Sequence, residues 1–169
     1  MKTLIVVDVQ NDFVTGSLGT PEAQAIIPNI KKKIVKYREN GNPIIFTQDT
    51  HYPDYLRTNE GKHLPVLHCI EGTNGWQIVD NLYDKKDEKI CKRTFGCLVW
   101  NPSISYSDEI EIIGLCTDIC VISNALILKA MYPNIEITVD TSCCAGATPH
   151  GHKSAIEVMK TCQVNIIGE

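Results

Sequence analysis

"EIEIIGLCTDICVISNALILKAMY", residues 109–132, contains the two patterns from which an α/β protein is built. Residues 109–115 are mostly apolar and rich in isoleucine, which is typical of a buried strand. From residue 119 to residue 132 the apolar positions follow a helical period. A strand that runs directly into a helix predicts one βα unit.

The same alternation recurs on both sides of this unit. Strand-like apolar runs lie at residues 3–9, 43–49, 88–92, 109–115, 135–142 and 163–168. Stretches with helical character lie at residues 23–40, 75–83, 119–132 and 152–162. Because parallel neighbours need a crossover connection, the sequence predicts a three-layer α/β sandwich with a six-stranded, mostly parallel sheet flanked by helices. Residues 50–75 have no clear periodicity, and a loop of that length is usually functional.

Length and composition narrow the class of protein. A chain of 169 residues that is 43% hydrophobic predicts a single domain over residues 1–169. The net charge of -4 comes from interspersed charges, which disfavours nucleic-acid and membrane partners and favours a small molecule. The apolar run after Lys2 is too short for a secretory signal, so we expect a cytoplasmic protein. We interpret the eight cysteines as mostly reduced thiols, because a chain of this size needs no disulfides.

Polar residues follow the predicted strands at the edge where parallel sheets bind ligands. Asp8, Asp49 and Lys92 end the first three strands, and the fourth runs into "CTDIC", residues 116–120. We therefore expect carboxylates, an ammonium group and thiols to meet at one edge of the sheet.

Two cysteines compete for the role of nucleophile. Cys120 falls in the first turn of a helix predicted over residues 118–132 with Thr117 as its N-cap, where a helix N-terminus lowers a thiol pKa. Cys116 precedes the turn, so its backbone amide is better placed as an oxyanion donor than its sulfur is as a nucleophile. The alternative is that both are buried small hydrophobic residues, as cysteines often are.

Asp8 and Lys92 allow two interpretations. They form a structural ion pair, or Asp8 accepts the proton of the thiol while Lys92 stabilises the resulting anions. A second group of residues has metal-ligand character, because Asp49 and His51 form a D-x-H pair to which Glu60 and His68 add further donors. These residues suit zinc, iron or manganese, and the alternative is a set of solvated polar side chains in a loop.

Five motifs together resemble the isochorismatase-like cysteine hydrolases, and within them the nicotinamidase branch. They are "VVDVQNDF" (6–13), "QDTH" (48–51), "HCIEGT" (68–73), "CKRTF" (91–95) and "GLCTDICV" (114–121). The resemblance spans essentially the whole chain and implies the isochorismatase-like hydrolase fold. It implies a catalytic triad of Asp8, Lys92 and Cys120. It also implies a cis peptide bond between Leu115 and Cys116, with the amides of Cys116 and Cys120 directed at the oxyanion.

The same resemblance implies a metal site and a substrate pocket. Asp49, His51 and His68 match the metal ligands, and Glu60 stands where some members supply a fourth; zinc is expected first, then iron or manganese. Phe13 matches an aromatic pocket residue. Leu64 and Phe95 occupy the pocket wall where the family usually has other residues, and Trp100 is a further candidate for that wall. His152 is interpreted as a capping and packing residue, and no role is predicted for His63 or His150.

The resulting expectation is a metal-dependent cysteine amidohydrolase that converts nicotinamide to nicotinic acid and ammonia through a thioester, as in NAD salvage. The first alternative is a related hydrolase acting on another small amide or carbamoyl compound. The second is a non-catalytic metal-binding or redox-sensing domain. The resemblance also implies a homo-oligomer, a dimer or tetramer.

Overall fold

The computed structural model describes residues 1–169 and contains one sheet of six strands, all parallel. The strand order across the sheet is β3-β2-β1-β4-β5-β6. The strands are β1 (Lys2–Val7), β2 (Ile44–Asp49), β3 (Glu88–Lys92), β4 (Glu109–Leu115), β5 (Glu136–Ala145) and β6 (Asn165–Ile167). The predicted fold class is confirmed, and each predicted strand is present.

The helices are α1 (Asn11–Val14), α2 (Pro21–Glu39), α3 (Asn59–His63), α4 (Ile122–Met131) and α5 (Pro149–Thr161). Short 3₁₀ turns lie at Tyr55–Arg57 and Pro102–Tyr106, and a π-helical turn lies at Thr117–Val121. None of the helices has the length and apolar character needed to cross a bilayer.

The sheet separates two hydrophobic cores, as alternation along β1 shows. Leu4 and Val6 face the core that contains the buried side of α2. Ile5 and Val7 face the core that contains α4 and α5. Because β1 is buried on both faces, its sequence is continuously apolar, as in other parallel sheets.

The strand order reverses direction at β1, which pairs with β2 on one side and with β4 on the other. Such a switch point opens a crevice at the carboxyl ends of the strands. Gly114 lets β1 and β4 approach closely here, since its φ is 120° and an added Cβ would lie 2.1 Å from the carbonyl oxygen of Val7. The crevice at β1 and β4 is where the residues predicted to act chemically converge.

Residues 75–83 do not form the predicted helix. The Asn11 amide donates to the Gln77 carbonyl at 2.9 Å, and the Val79 amide donates to the Val9 carbonyl at 3.0 Å. The segment therefore pairs with the chain that follows β1, and these tertiary hydrogen bonds replace helical ones. The long segment before it, predicted as a loop, contains only α3 and one 3₁₀ turn.

The predicted helix over residues 118–132 begins differently. Its first turn is π-helical, and the N-cap position belongs to Cys116 rather than to Thr117. The Thr117 hydroxyl is buried inside the turn and lies 2.8 Å from Nδ1 of His152 in α5. Thr117 therefore links the turn to α5. His152 packs there as predicted, but the predicted capping role is wrong, because the Thr148 side chain caps α5.

Candidate active site

Asp8 immediately follows β1 and is fully buried. Its φ of 47° turns the chain away from the strand direction. The Thr47 hydroxyl on β2 donates to Oδ1 of Asp8 at 2.7 Å. One carboxylate oxygen is thus held by the neighbouring strand, and the other faces Lys92.

Lys92 is the last residue of β3, and its ammonium group joins three acidic or nucleophilic side chains. Its Nζ lies 2.6 Å from Oδ2 of Asp8, 3.6 Å from Sγ of Cys120 and 3.5 Å from Oδ1 of Asp49. The same ammonium donates to the Thr94 carbonyl at 3.1 Å. Three distant segments of the chain therefore meet at one cation.

The charges of this group follow from burial and from its composition. Burial lowers the pKa of Lys92, but Asp8, Cys120 and Asp49 together raise it above its ordinary value, so Lys92 remains a cation. Burial raises the pKa of Asp8, the attraction of Lys92 offsets this only in part, and the nearby negative charge of Asp49 raises the pKa further. Asp8 is consequently a stronger base than an exposed aspartate.

Cys120 lies in the π-helical turn and is 5% exposed. Contrary to the prediction from its helix position, its pKa is raised well above 9.0. Burial is the main cause and the Asp8 carboxylate adds to it, while Lys92 opposes both. Cys120 is therefore a protonated thiol at rest. The ammonium group of Lys92 lies beside it and can stabilise a thiolate when one forms.

One backbone feature next to Cys120 agrees with its prediction. The peptide bond between Leu115 and Cys116 is cis. The Cys116 carbonyl accepts hydrogen bonds from the amides of Ile119 and Val121, at 3.1 and 3.0 Å. Cys116 and Cys120 thus lie at opposite ends of one tight turn that forms the cavity wall. All eight cysteines are free thiols.

A possible metal site lies beside Lys92 and Cys120. Asp49, His51 and His68 are buried, and one donor atom from each lies within 4.8 Å of the others. Oε1 of Glu60 lies 3.6 Å from Nε2 of His51 and 3.8 Å from Nε2 of His68. The four predicted ligands are therefore brought together, with Glu60 at the solvent side of the three buried residues.

Two observations show that these side chains suit a cation. Nε2 of His51 is buried and lies 2.9 Å from Oδ2 of Asp49, so the two candidate donor atoms face the same space. Nδ1 of His68 lies 2.8 Å from the Val66 carbonyl, which fixes the tautomer that leaves Nε2 free for a metal. The Tyr55 ring packs against both imidazoles, at centroid distances of 4.6 and 4.9 Å. The imidazoles are therefore held in place before a metal binds.

A cavity of about 360 Å³ opens beside these groups. Cys116, Cys120, Asp49, Glu60 and His68 line it on the polar side. The other side is apolar and includes the three predicted pocket residues Phe13, Leu64 and Phe95. A volume of this size suits a small molecule. Trp100, by contrast, is buried in the core beneath α4 and does not reach the cavity.

Several residues that support the site were missed in the sequence. Gln10 bonds to the backbone of Asp49, Thr47 bonds to Asp8, and Asn124 donates to the Cys120 carbonyl at 2.8 Å. A signal was present, because each is a polar residue within or beside an apolar run of a predicted element. Such residues are buried only when their hydrogen bonds are satisfied.

Comparison with known proteins agrees with the fold. The family model described as the Isochorismatase domain matches residues 2–168. The nicotinamidase of Saccharomyces cerevisiae is 26% identical over 99% of each chain. A probable inactive nicotinamidase of Arabidopsis thaliana is 28% identical over 93% of this chain and 87% of its own length.

The structure is also similar to a solved structure. The pyrazinamidase of Pyrococcus horikoshii in complex with zinc has a TM-score of 0.84 and 27% sequence identity, with 99% of each chain covered. The fold, the family model and the relatives agree along the full length of the chain. This chain therefore belongs to the isochorismatase family, as a hydrolase of amide carbon–nitrogen bonds close to the nicotinamidases.

Proposed function

We propose that this protein hydrolyses nicotinamide to nicotinic acid and ammonia, with Cys120 as the nucleophile. The observation that carries the proposal is the position of Lys92, whose Nζ lies 2.6 Å from Asp8 and 3.6 Å from Cys120 at the edge of the cavity. A structural ion pair would need only Asp8 and Lys92. The Cys120 thiol lies beside this ion pair, and the pair can take part in transferring its proton.

In the first step, Asp8 takes the proton of the Cys120 thiol as the sulfur attacks the carbonyl carbon of the amide. Because burial raises the pKa of both groups, the thiolate forms only as it attacks. Lys92 stabilises the negative charge that passes from the carboxylate to the sulfur, and the net charge of the trio does not change.

The amides of Cys116 and Cys120 would then stabilise the tetrahedral oxyanion, a contribution typically of about 3 kcal/mol. Asp8 returns the proton to the leaving ammonia, and the carbonyl carbon remains bonded to Cys120 as a thioester. A water molecule, deprotonated by Asp8, attacks this thioester and releases the carboxylic acid and the thiol.

The residues fit a divalent metal ion, and zinc is our first choice because a similar pyrazinamidase is described in complex with zinc. Asp49, His51 and His68 would hold the ion, with Glu60 as a further ligand. When bound, the ion would supply a Lewis acid for the ring nitrogen of the substrate. Phe13, 5.5 Å from the His68 ring between centroids, would pack against the substrate ring.

Ammonia release from nicotinamide tests the proposal directly. The first measurement is whether the wild-type protein is active at all, because the similar Arabidopsis thaliana protein is named as a probable inactive nicotinamidase. We expect Cys120→Ala to lose at least about a thousandfold in kcat/KM, since the nucleophile is absent. Cys116→Ala keeps its backbone amide and should lose far less. Full activity in Cys120→Ala would end the proposal.

Another small amide or carbamoyl compound is the second candidate substrate, favoured by Leu64 and Phe95 at the pocket wall. A panel of small amides, assayed with the metal-loaded protein, separates the two candidates. Selective turnover of nicotinamide would exclude the second, whereas better turnover of an aliphatic amide would exclude the first.

We propose that the protein is a homo-oligomer, a dimer or tetramer, which sedimentation of the purified protein measures. We also propose a role in NAD salvage, which follows only if nicotinamide is the substrate. Metal analysis of the purified protein identifies the bound ion.

A further inference from the structure

We propose that Leu64 and Phe95 form a fixed partition that limits the substrate to an amide carrying a single ring. The partition separates the catalytic cavity from a wider outer cleft that would otherwise accept a longer acyl group. This inference rests on the proposed amide hydrolysis and adds to it the factor that sets substrate size.

Two adjoining cavities share these residues. The catalytic cavity has a volume of about 360 Å³, and the outer cleft beside it has about 910 Å³. Leu64, Phe95, Glu60 and Ile119 line both. Leu64 is 37% exposed and Phe95 is 48% exposed, as expected of side chains with space on two sides. Shortening either side chain would join the two spaces.

Phe95 is held in position by its backbone neighbours. The Asn124 side chain accepts from the Cys97 amide at 2.7 Å and donates to the Phe95 carbonyl at 3.5 Å. Gly96 packs so closely that an added Cβ would lie 2.3 Å from Cδ1 of Ile127. The segment is thus fixed against α4, and Phe95 acts as a wall rather than as a mobile flap.

Leu64 is held from the other direction. Its amide donates to the Glu60 carbonyl at 2.8 Å, at the end of α3. Its carbonyl accepts from the Tyr55 hydroxyl at 3.0 Å. Tyr55 is fully buried and packs against both metal-site imidazoles. Phe95 is therefore anchored to α4, and Leu64 is anchored to the residues of the proposed metal site.

The outer cleft differs in chemistry from the catalytic cavity. Its lining is largely polar and includes Thr58, Asn59 and Arg93. The guanidinium carbon of Arg93 lies 4.1 Å from the centre of the Tyr52 ring. If Leu64 or Phe95 were shortened, a longer substrate could extend into the outer cleft and contact these polar groups. With both side chains present, the substrate cannot reach them.

Phenyl-substituted nicotinamides test the size limit, because they keep the ring nitrogen and the carboxamide. A set that differs in the position of the phenyl group covers every direction of the extension. We expect Phe95→Ala and Leu64→Ala to raise kcat/KM for at least one of these amides, relative to nicotinamide, by about tenfold or more over the wild-type ratio. Leu98→Ala and Leu67→Ala are matched controls, since both residues are exposed and line neither cavity.

Alkylation of Cys120 provides a measurement that does not depend on turnover. Cys120 is treated either with iodoacetamide, a small reagent, or with pyrenylmaleimide, a large one, and peptide mapping gives the rate of each reaction at Cys120. The relative rate is the pyrenylmaleimide rate divided by the iodoacetamide rate. We expect this relative rate to rise about tenfold in Phe95→Ala or Leu64→Ala and to stay at the wild-type value in the two controls.

The outcomes separate the two proposals. If the alkylation ratio rises but no amide is hydrolysed, the partition is supported and the proposed reaction is wrong. If nicotinamide is hydrolysed and both ratios stay unchanged in Phe95→Ala and Leu64→Ala, the partition is wrong. Equal turnover of nicotinamide and its phenyl derivatives by the wild-type protein would overturn it as well.

Discussion

The side-chain amide of Gln10 is hydrogen-bonded to both backbone polar groups of Asp49. Nε2 donates to the Asp49 carbonyl at 2.8 Å, and the Asp49 amide donates to Oε1 at 2.7 Å. Gln10 is fully buried and follows Asp8 by two residues. The chain that carries the proposed base therefore also fixes the backbone of a proposed metal ligand.

We expect Gln10→Ala to weaken metal binding about tenfold to a hundredfold, the usual effect of removing a residue that orients a ligand. Competition with a chelating dye measures the affinity. Gln48→Ala is a matched control, because Gln10 and Gln48 both donate to the Trp76 carbonyl but only Gln10 holds Asp49. Equal affinities in the two variants would contradict the positioning role of Gln10.

Lys92→Met should slow alkylation of Cys120 by iodoacetamide about tenfold or more near neutral pH. Lys92 is the cation that opposes the effects of burial and Asp8 on the Cys120 pKa, so its loss makes the thiolate still rarer. Lys89→Met, an exposed residue of the same strand, serves as the control. An unchanged rate in Lys92→Met would show that the ammonium does not stabilise the sulfur anion.

The pH dependence of kcat/KM should reflect Asp8 on its acid side. Burial raises the pKa of Asp8 above 3.8, and only the deprotonated carboxylate can accept the thiol proton. Activity is therefore expected to fall, as pH decreases, at a pH above the ordinary aspartate value. A profile that stays flat down to that value would exclude Asp8 as the base.

A second buried ionic group predicts an effect on stability alone. Nζ of Lys33 in α2 lies 2.5 Å from Oε1 of Glu111 and 2.7 Å from Oδ2 of Asp140, and both carboxylates are buried. Lys33→Met should lower the free energy of unfolding by about 3 kcal/mol, because it leaves buried charge unpaired. Urea unfolding measures the change, and Lys32→Met, at an exposed neighbouring position, should have little effect.

The same group gives a direction for pH. Burial raises the pKa of Asp140, but hydrogen bonds from Lys33 and Ser142 outweigh it and hold the pKa below 3.8. The stabilisation from Asp140 is therefore complete above that pH and is lost as pH falls through the lower, folded-state pKa. Lys33→Met should lose part of this acid dependence, and an unchanged slope would contradict the pairing.

The sequence predicted the sheet well because buried parallel strands are continuous apolar runs, and it placed Asp8, Asp49 and Lys92 correctly at their ends. It failed at residues 75–83, where helical periodicity was overridden by pairing with the segment after β1. It also failed at the Cys120 pKa, since a sequence gives helix position but not the depth of burial. In both cases, tertiary contacts and burial determined the outcome and the local sequence pattern did not.

Tyr55 ties two properties of the enzyme together. Its ring touches both imidazoles, while its hydroxyl holds the backbone of Leu64. A change that moves the Tyr55 side chain should therefore alter both metal affinity at the proposed site and substrate selection at the proposed partition. The two properties cannot change independently through this residue. To broaden the substrate range, the Leu64 side chain should therefore be shortened and Tyr55 kept, because this leaves the hydrogen bond from Tyr55 to the Leu64 carbonyl intact.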